Sequence, residues 1–248
     1  MSGVFSIGEE AYEDFMGRYS RRLAPLFADF AGVRGGDRVL DVGAGTGALT
    51  AELLDRGSAV AAVEPSRAFC EVLRKRFPEL EVHEGPAEQL PFPDGAFDVA
   101  LAQLVVAFLA DAPRAAAEMA RVARRVAVCM WGIQEVEMFA AIQRAAEAVG
   151  TQPQGARLYR TAQELRDLLA PLGAVESAEL DVVGEYASFE EFWHALEQQI
   201  GLPAAAWLAS LDDAGRERAR EELFRQLGSP EGAFELKARA FAAAVTPG

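Results

Sequence analysis

Apolar residues in the middle of the chain follow two spacings, and the two spacings alternate. Short runs that are apolar almost throughout predict strands, and apolar positions three or four residues apart predict helices. Strands of this kind that alternate with helices are typical of a parallel sheet covered by helices on both faces. The predicted strands are 38–42, 59–65, 80–85, 97–103 and 125–131, and the predicted helices between them are 48–57, 67–77 and 113–123. The pattern therefore predicts an α/β fold.

The regions on either side of this alternation are mainly helical in pattern. Residues 9–31 predict N-terminal helices that are separated at Gly17 and Pro25. Thr161 and Glu164 have the spacing of a capping box, which predicts a helix start. The predicted elements after Trp131 are helix 133–149, loop 150–159, helix 161–173, strand 175–188, helical residues 189–228 and strand 233–245.

The motif VLDVGAGTG, residues 39–47, carries a strand into a glycine loop and then directly into a helix. Its loop contains Gly43, Ala44, Gly45 and Gly47, and glycine is needed where the backbone turns sharply or touches a ligand. Residues 43–48 also satisfy the dinucleotide fingerprint, so a nicotinamide site is an alternative. Asp41 argues against it, because a carboxylate at the strand's end repels a pyrophosphate and suits an ammonium group, directly or through water. The loop therefore favours a cationic nucleoside without phosphate.

Glu64 ends the second predicted strand, and Pro65 and Ser66 follow it. It lies about 20 residues beyond the first glycine of the loop, the spacing at which an acid accepts both ribose hydroxyls. Nicotinamide and adenosylmethionine sites share this spacing. Glu64 therefore predicts ribose binding without choosing between the two cofactors, and the alternative is a surface acid at a strand end.

The composition of the chain limits the partners that the protein is expected to bind and the cellular compartment in which it is expected to lie. The formal net charge of −14 repels phosphate backbones and anionic lipid, which counts against a nucleic-acid partner. No run reaches the roughly 18 apolar residues of a membrane span, and the N-terminus lacks the pattern of a signal peptide. Cys70 and Cys129 fit no metal or redox spacing. We therefore expect a cytoplasmic protein with buried reduced thiols, no metal and no membrane span.

Four segments together resemble the class I S-adenosylmethionine-dependent methyltransferases, in the small-molecule branch that includes ubiquinone and menaquinone methyltransferases. They are YEDFMGRYS (12–20), VLDVGAGTG (39–47), VEPS (63–66) and EGPAEQLPFPDGAFDVALA (84–102). The resemblance implies S-adenosyl-L-methionine as the cofactor and a small-molecule methyl acceptor. It also implies a Rossmann-like seven-stranded sheet, mostly parallel with an antiparallel last strand, and helices on both faces.

The same resemblance implies an organisation around the cofactor. We expect one methyltransferase domain over residues 1–248, with a helical cap at 1–31. Helical inserts at 133–160 and 188–230 resemble a lid over the acceptor site.

The resemblance also assigns roles to single residues. Ala87 would offer its backbone to the adenine ring, with Glu88 beside it, while Pro86 stands where an acid is common. Gln103 would contact the methionine part, and Arg18 is either a partner of the cofactor's carboxylate or a solvated arginine. The predicted cofactor-binding residues are Met16, Arg18, Asp41, Gly43, Ala44, Gly45, Gly47, Glu64, Pro65, Ser66, Ala87, Glu88 and Gln103.

The implied reaction is an in-line displacement at the sulfonium methyl, which needs mostly alignment and exclusion of water. A general base is needed only when the acceptor arrives protonated. His194 is a candidate base, with a helix-surface histidine as the alternative, and the catalytic residues are otherwise unidentified.

The aromatic residues predict an apolar or aromatic acceptor, unless they are simply core. The candidate pocket walls are Phe5, Phe15, Tyr19, Trp131, Phe139, Phe192 and Trp193. Neither the Asn/Asp-Pro-Pro-aromatic tetrad nor the Pro-Cys pair typical of nucleic-acid methyltransferases is present. Two other functions stay open: a nicotinamide-dependent oxidoreductase, and a cofactor-binding protein without catalysis.

Overall fold

The computed structural model describes residues 13–151, 161–198 and 203–248. The first described residues, Glu13–Gly17, form a π-helical turn that leads into a long helix. In the central part of the chain, strands and helices then alternate as the hydrophobic pattern predicts. The elements are α1 (Arg18–Phe30), β1 (Arg38–Val42), α2 (Ala48–Asp55), β2 (Ala59–Glu64), α3 (Arg67–Arg76), β3 (Glu81–Glu84), β4 (Phe97–Gln103), α4 (Ala112–Val122) and β5 (Ala123–Val136).

The remaining part of the chain adds two long strands and several helices. A 3-10 turn, Val106–Phe108, follows β4, and a second one, Ala170–Leu172, follows α6. The later elements are α5 (Glu137–Ala148), α6 (Ala162–Leu169), β6 (Val175–Tyr186), α7 (Phe189–Glu197), α8 (Pro203–Ala209), α9 (Asp213–Gln226) and β7 (Phe234–Val245). Helix α6 begins with the predicted capping box, in which the Thr161 hydroxyl and the Glu164 carboxylate each accept a backbone N–H.

The seven strands form one sheet in the order β3-β2-β1-β4-β5-β7-β6. Strands β1, β2, β3, β4 and β5 pair in parallel, with Asp41 opposite Ala62 and Leu101. The last strand is antiparallel, and an ion pair between Asp181 of β6 and Arg239 of β7 joins the two outer strands at 2.7 Å. The predicted fold class is therefore confirmed.

The chain divides into two compact units. The larger unit comprises residues 20–132, 157–180 and 240–248, and the smaller unit comprises residues 1–19, 133–156 and 181–239. In the larger unit, buried aliphatic side chains of the strands pack on α4 and α6, with Leu40, Met119 and Leu165 at most 1% exposed. Among the described helices, none is long and apolar enough to cross a membrane.

Two predicted boundaries are wrong. Strand β5 continues to Val136, whereas the pattern predicts that a helix begins at residue 133. Ile133 and Val136 have the three-residue spacing of a helix, but both are β-branched and extend the strand. Helix α1 also runs through Pro25. Proline's φ suits a helix, but Pro25 has no N–H to donate to the carbonyl four residues earlier, so the rest of the helix tolerates one missing hydrogen bond. The Arg56 guanidinium donates to the Pro25 carbonyl at 2.9 Å, which helps to hold this stretch.

The core of the smaller unit depends on a close approach between Tyr19 and the backbone of β6. The Tyr19 side chain is 1% exposed, and a Cβ placed on Gly184 would overlap its ring. The Tyr186 hydroxyl donates to the Tyr19 hydroxyl at 3.4 Å. The Tyr186 ring stacks on Phe234 at 5.3 Å and meets Phe192 edge-on at 5.1 Å. Gly184 is therefore the position at which β6 accepts an aromatic ring.

We expect Gly184→Ala to destabilise the protein. The added methyl group meets a ring that is enclosed on its other sides, and overpacking of this kind costs about 1–3 kcal/mol. The measurement is the midpoint of urea unfolding. The matched control is Gly232→Ala, since a Cβ there has no heavy atom within 4 Å. Equal midpoints for the two variants would contradict this packing.

Candidate functional site

The glycine loop joins β1 to α2, and all three of its glycines have positive φ. The angles are 72° at Gly43, 56° at Gly45 and 89° at Gly47, a region that favours glycine. A Cβ on Gly43 would lie 2.6 Å from Val105, and one on Gly47 would lie 2.6 Å from Phe77. A Cβ on Gly45 would meet nothing within 4 Å. Gly43 and Gly47 are therefore required for packing, and Gly45 faces open space.

Glu64, at the end of β2, holds this loop through its carboxylate. Its two oxygens accept the backbone N–H groups of Gly45 and Ser66, both at 2.9 Å. The side chain is only 4% exposed, and burial raises the pKa of Glu64 although both hydrogen bonds lower it. The alternative that Glu64 is a surface acid is therefore wrong. Each carboxylate oxygen has a further lone pair that can accept a ligand hydroxyl.

Asp41 lies beneath the loop at the end of β1 and is 1% exposed. Its carboxylate accepts the Thr50 hydroxyl of α2 at 2.6 Å. Burial raises the pKa of Asp41 to about 7, and the charge of Glu64 adds to the rise, while the bond from Thr50 opposes it. Near pH 7 this carboxyl is partly neutral, so its repulsion of a pyrophosphate is weaker than the sequence suggests. Its contact with an ammonium group stays a prediction.

The carboxyl end of β4 has features that sequence reasoning missed. The Gln103 amide donates to the Ser20 carbonyl at 3.1 Å. Within the described residues, Gln103 Oε1 and Ser20 Oγ are buried and have no hydrogen-bond partner. Leu104 follows with φ of 62°, and a bulky residue in this region costs about 1–3 kcal/mol. Strain and unsatisfied polar atoms both mark this strand end as a candidate ligand site.

A sequence signal existed for Ser20 but not for Leu104. Ser20 shares a helical stripe with the buried residues Leu23, Ala24 and Phe27, so it is a polar residue on an apolar face. Nothing in a leucine indicates a positive φ, because leucine rarely adopts one.

The residues predicted to surround the adenine lie after β3 and β2. Ala87 is buried, whereas Pro86 and Pro65 are exposed. Ser66 caps α3 by accepting the Phe69 N–H at 3.5 Å. Glu88 accepts the N–H groups of residues 110 and 111 at 2.9 and 3.0 Å, so its carboxylate braces the segment before α4.

Arg18 and Met16 belong to the smaller unit, and both are largely enclosed there. The Arg18 guanidinium donates to Glu191 Oε1 at 2.8 Å and to the Glu185 carbonyl, and it lies 4.1 Å from the centre of the Tyr186 ring. Its side chain is 15% exposed, so the alternative of a solvated arginine is wrong. A bond to the cofactor's carboxylate stays a prediction.

The residues predicted to line the acceptor pocket or to act as a base lie partly in the core and partly on the surface. Phe15, Tyr19, Phe192 and Trp193 are buried in the smaller unit, Trp131 is buried in the larger unit and Phe139 is half-buried. Phe5 lies outside the described residues. His194 is exposed on α7, a setting that gives no support to a role as a base. Over the described ranges, no group of three histidine, cysteine or acidic residues is placed to hold a metal.

The donors and acceptors in the larger unit suit the groups of S-adenosylmethionine. A ribose diol needs acceptors, and Glu64 supplies them. An ammonium group needs an acceptor too, and Gln103 Oε1 is a buried acceptor without a partner among the described residues. The loop brings Asp41, Gly43, Ala44, Gly45 and Glu64 together, and the contact of Val105 with Gly43 adds the end of β4. The residues present therefore fit this cofactor.

Residues 40–130 match a protein family described as the methyltransferase domain. The matched segment is 91 residues long, so the likeness to this family covers about a third of the chain. The match begins in β1 and ends in β5, so it contains the glycine loop, Glu64 and the end of β4. The resemblance expected from the motifs is confirmed over this segment.

Several curated proteins are similar to the same part of the chain. An uncharacterized methyltransferase of Mycobacterium tuberculosis is 42% identical over 87 residues, 35% of each chain. A malonyl-acyl-carrier-protein O-methyltransferase of Serratia marcescens is 37% identical over 89 residues, 36% of this chain and 35% of its own. A demethylmenaquinone methyltransferase of Renibacterium salmoninarum is 35% identical over 105 residues. That match covers 42% of this chain and 44% of the relative, so the chain spans less than half the length of these relatives.

Solved structures share the fold over most of the chain. A protein of Anaeromyxobacter dehalogenans named as a candidate type II methyltransferase has a TM-score of 0.68 at 24% identity, covering 91% of this chain and 95% of its own. The SpnF cyclase has a TM-score of 0.56 at 20% identity, covering 92% and 81%. At these identities the likeness shows the fold alone.

The stability of the protein is expected to fall as the pH rises through 7, and Asp41→Asn should reduce this fall. With a native pKa of about 7 against an ordinary value near 3.8, the native state keeps a proton that the unfolded chain releases. The stability from this group is therefore complete below about pH 4 and is lost as the pH rises through about 7. Three pKa units correspond to at most about 4 kcal/mol. Asparagine keeps an acceptor for Thr50 and does not titrate.

The measurement is the free energy of unfolding from denaturant curves between about pH 5 and 8. The pKa of Glu64 is also raised, so the free energy of unfolding of Asp41→Asn should still depend on pH to some extent. Asp55→Asn, at the exposed end of α2, is the control and should keep the slope of the parent. A parent whose stability does not change over this interval would contradict the burial of Asp41.

Proposed function

We propose that this chain transfers a methyl group from S-adenosyl-L-methionine to a small-molecule acceptor. The observation that carries the proposal is the match of residues 40–130 to the methyltransferase domain, because this segment contains the loop and the acid that would hold the cofactor. The Glu64 carboxylate, already fixed on Gly45 and Ser66, would accept the ribose hydroxyls.

Other residues of the larger unit would hold the rest of the cofactor. Gln103 Oε1 would accept the ammonium group, and Ala87 would present its backbone to the adenine ring. Gly45 leaves room for close approach because a Cβ there would meet open space. The cofactor supplies an activated methyl group on a sulfonium ion. The chain's own task is to align the acceptor with it and to exclude water.

No catalytic side chain is assigned by this proposal. His83 bonds to Glu81 at 2.7 Å and packs edge-on against Phe92, which gives it a structural role. His194 stays a prediction, and its exposure argues against a base in a dry site. Alignment alone supports the reaction when the acceptor arrives without a proton to lose.

An apolar or aromatic acceptor is part of the proposal. Its support is the name of the Renibacterium relative, a demethylmenaquinone methyltransferase. The net charge of −14 argues against nucleic acid. We further propose that the cap and the inserts, residues 1–31, 133–160 and 188–230, cover the acceptor. A cytoplasmic location stays a prediction from the sequence.

A second candidate is a protein of this fold that binds the cofactor without methyl transfer. The likeness to the SpnF cyclase favours it, because that protein is named for a different reaction on the same fold. Incubation with labelled S-adenosylmethionine and a metabolite extract separates the two candidates. Label that never reaches a product would favour the second.

The first test of the cofactor is calorimetry with S-adenosylhomocysteine and with NAD. We expect binding of the homocysteine ligand in the micromolar range and no binding of NAD, because the carboxyl of Asp41, which is partly charged near pH 7, lies where it would oppose a pyrophosphate. Binding of NAD alone would overturn the proposal in favour of an oxidoreductase.

Glu64→Gln should weaken S-adenosylhomocysteine binding by about 10- to 100-fold. Hydrogen bonds to a charged group contribute about 1.5–3 kcal/mol each, glutamine keeps one acceptor oxygen, and about 1.4 kcal/mol is tenfold. Calorimetry at fixed salt measures the change.

The variant should also lower the stability of the free protein. The glutamine amide would point a donor at the N–H of Gly45 or of Ser66, which the parent carboxylate accepts. Glu71→Gln is the control, since Glu71 is exposed on α3, where its carboxylate pairs with the Arg67 guanidinium at 3.2 Å. Unchanged affinity in Glu64→Gln would remove the ribose assignment.

A further inference from the structure

The segment between β3 and β4, residues 85–96, contains neither helix nor strand, and yet it is held in place along its length. It begins beside the proposed ribose acid, since the Gly85 N–H donates to the Glu64 carbonyl at 3.1 Å. A nucleoside whose ribose lies on Glu64 would therefore have the start of this segment within reach of its base. What fixes the segment bears directly on how a base is read there.

Arg121, in the last turn of α4, fastens the second half of this segment with its whole guanidinium. An arginine side chain has five N–H donors, and here all five are used. Two go to the main-chain carbonyls of Leu90 and Phe92, at 3.1 and 2.8 Å. One goes to Asp94 Oδ1 and two go to the Glu118 carboxylate, each at 2.8 Å. No donor is left for a ligand, so the role of this guanidinium is to hold the segment.

Glu118 and the main chain of Arg121 add two further bonds to the same stretch. Glu118 Oε2 accepts the Leu90 N–H at 2.9 Å, and the Arg121 carbonyl accepts the Gly95 N–H at 2.9 Å. The hydrogen bonds from Arg121 lower the pKa of Glu118 to about 2, so this carboxylate is charged throughout the neutral range. Bonds between charged groups are about twice as strong as neutral ones. Residues 90–95 are therefore fixed on the last turns of α4.

The first half of the segment is fastened to the opposite end of α4. The Arg114 guanidinium donates to the Glu88 carbonyl at 2.9 Å, and Glu88 Oε1 accepts the N–H groups of residues 110–111. Pro86 and Ala87 have no polar side chain, and the Glu88 carboxylate is bound elsewhere through Oε1. We therefore expect a base to meet the main chain of this segment rather than its side chains.

Recognition of a base by main-chain groups requires a main chain that cannot move. In adenine, N1 accepts a hydrogen bond and the amino group donates one, whereas in hypoxanthine both polarities are reversed. An N–H and a carbonyl that pair with adenine would face like groups of hypoxanthine, and buried polar groups left unpaired are costly. A loose segment could shift to relieve the mismatch, and a fixed one cannot. The bonds to α4 therefore bear on selectivity as well as on stability.

We propose that Arg121 and Glu118 form a clamp that positions residues 85–96 for the base of the cofactor, so that Arg121 is a positioning residue for adenine selectivity. The inference rests on the proposed function, since it takes Glu64 as the ribose site. Arg121 touches neither the cofactor nor the reacting atoms in this assignment. It acts through the main chain that it holds.

The test is calorimetry on the full chain with S-adenosylhomocysteine and S-inosylhomocysteine, which differ in the base alone. We expect the parent to prefer the adenine ligand at least about tenfold. Lysine keeps the charge but loses the fork of donors, so Arg121→Lys should raise the Kd of S-adenosylhomocysteine about tenfold and reduce the preference to within about threefold. Glu118→Gln, which has the same shape as the parent residue, should change both values in the same direction by a smaller factor.

Arg124→Lys is the matched control, because Arg124 is 75% exposed and pairs with Asp98 at 3.5 Å. It should keep the affinity and the preference of the parent. Unfolding midpoints show which variants are folded, and Glu118→Gln decides if Arg121→Lys does not fold.

The preference between the two bases separates positioning from stability. A clamp that serves stability alone would lower the unfolding midpoint and leave the preference of the folded variants unchanged, which would overturn the proposal. A parent that binds both ligands equally would overturn the positioning role as well. A parent that fails to bind S-adenosylhomocysteine would refute the proposed function itself.

Discussion

One buried residue, Glu64, ties together the ends of three neighbouring strands. Glu64 accepts the N–H of Gly45, which follows β1, and the N–H of Ser66, which follows β2. Its main-chain carbonyl accepts the N–H of Gly85, which follows β3, at 3.1 Å, and the thiol of Cys70 at 3.3 Å. Charge-assisted bonds of this kind are about twice as strong as neutral ones. The shape of the glycine loop therefore depends on a carboxylate that binds the ends of both β1 and β2. A ligand that binds there meets a surface that is already formed.

Several energetically unfavourable features, namely buried acids, a strained backbone and unpaired polar atoms, also lie at this edge of the sheet. Two acids, Asp41 and Glu64, are buried close enough that the charge of one raises the pKa of the other. Leu104 has a positive φ, and two polar oxygens at Ser20 and Gln103 lie without partners among the described residues. Each of these costs about 1–3 kcal/mol, and a fold selected for stability alone would lose them. Their concentration beside one loop is the physical reason to place a ligand site there.

How far the sequence predicts the structure depends on whether a short stretch determines the element. Strands β1 and β4 are predicted at both ends, because each is a short apolar run bounded by turn residues. The start of α6 is predicted because Thr161 and Glu164 cap it locally. The end of β5 is not predicted, because Ile133 and Val136 suit either a helix or a strand and long-range pairing decides between them. The conformation of Leu104 has no signal in its own residue type, and the enclosure of Arg18 comes from Glu185, Tyr186 and Glu191, far away in the chain.

The same distinction applies to the two units. In the larger unit, the proposed cofactor site consists of local motifs, since glycines with positive φ and an acid at the end of the next strand can be recognised in any related sequence. The match to the methyltransferase domain accordingly ends at residue 130. The smaller unit is held by contacts between distant residues, such as Tyr19 with Gly184 and Tyr186, which leave no short motif. Contacts of this kind can therefore change from one sequence to another while the glycine loop stays the same.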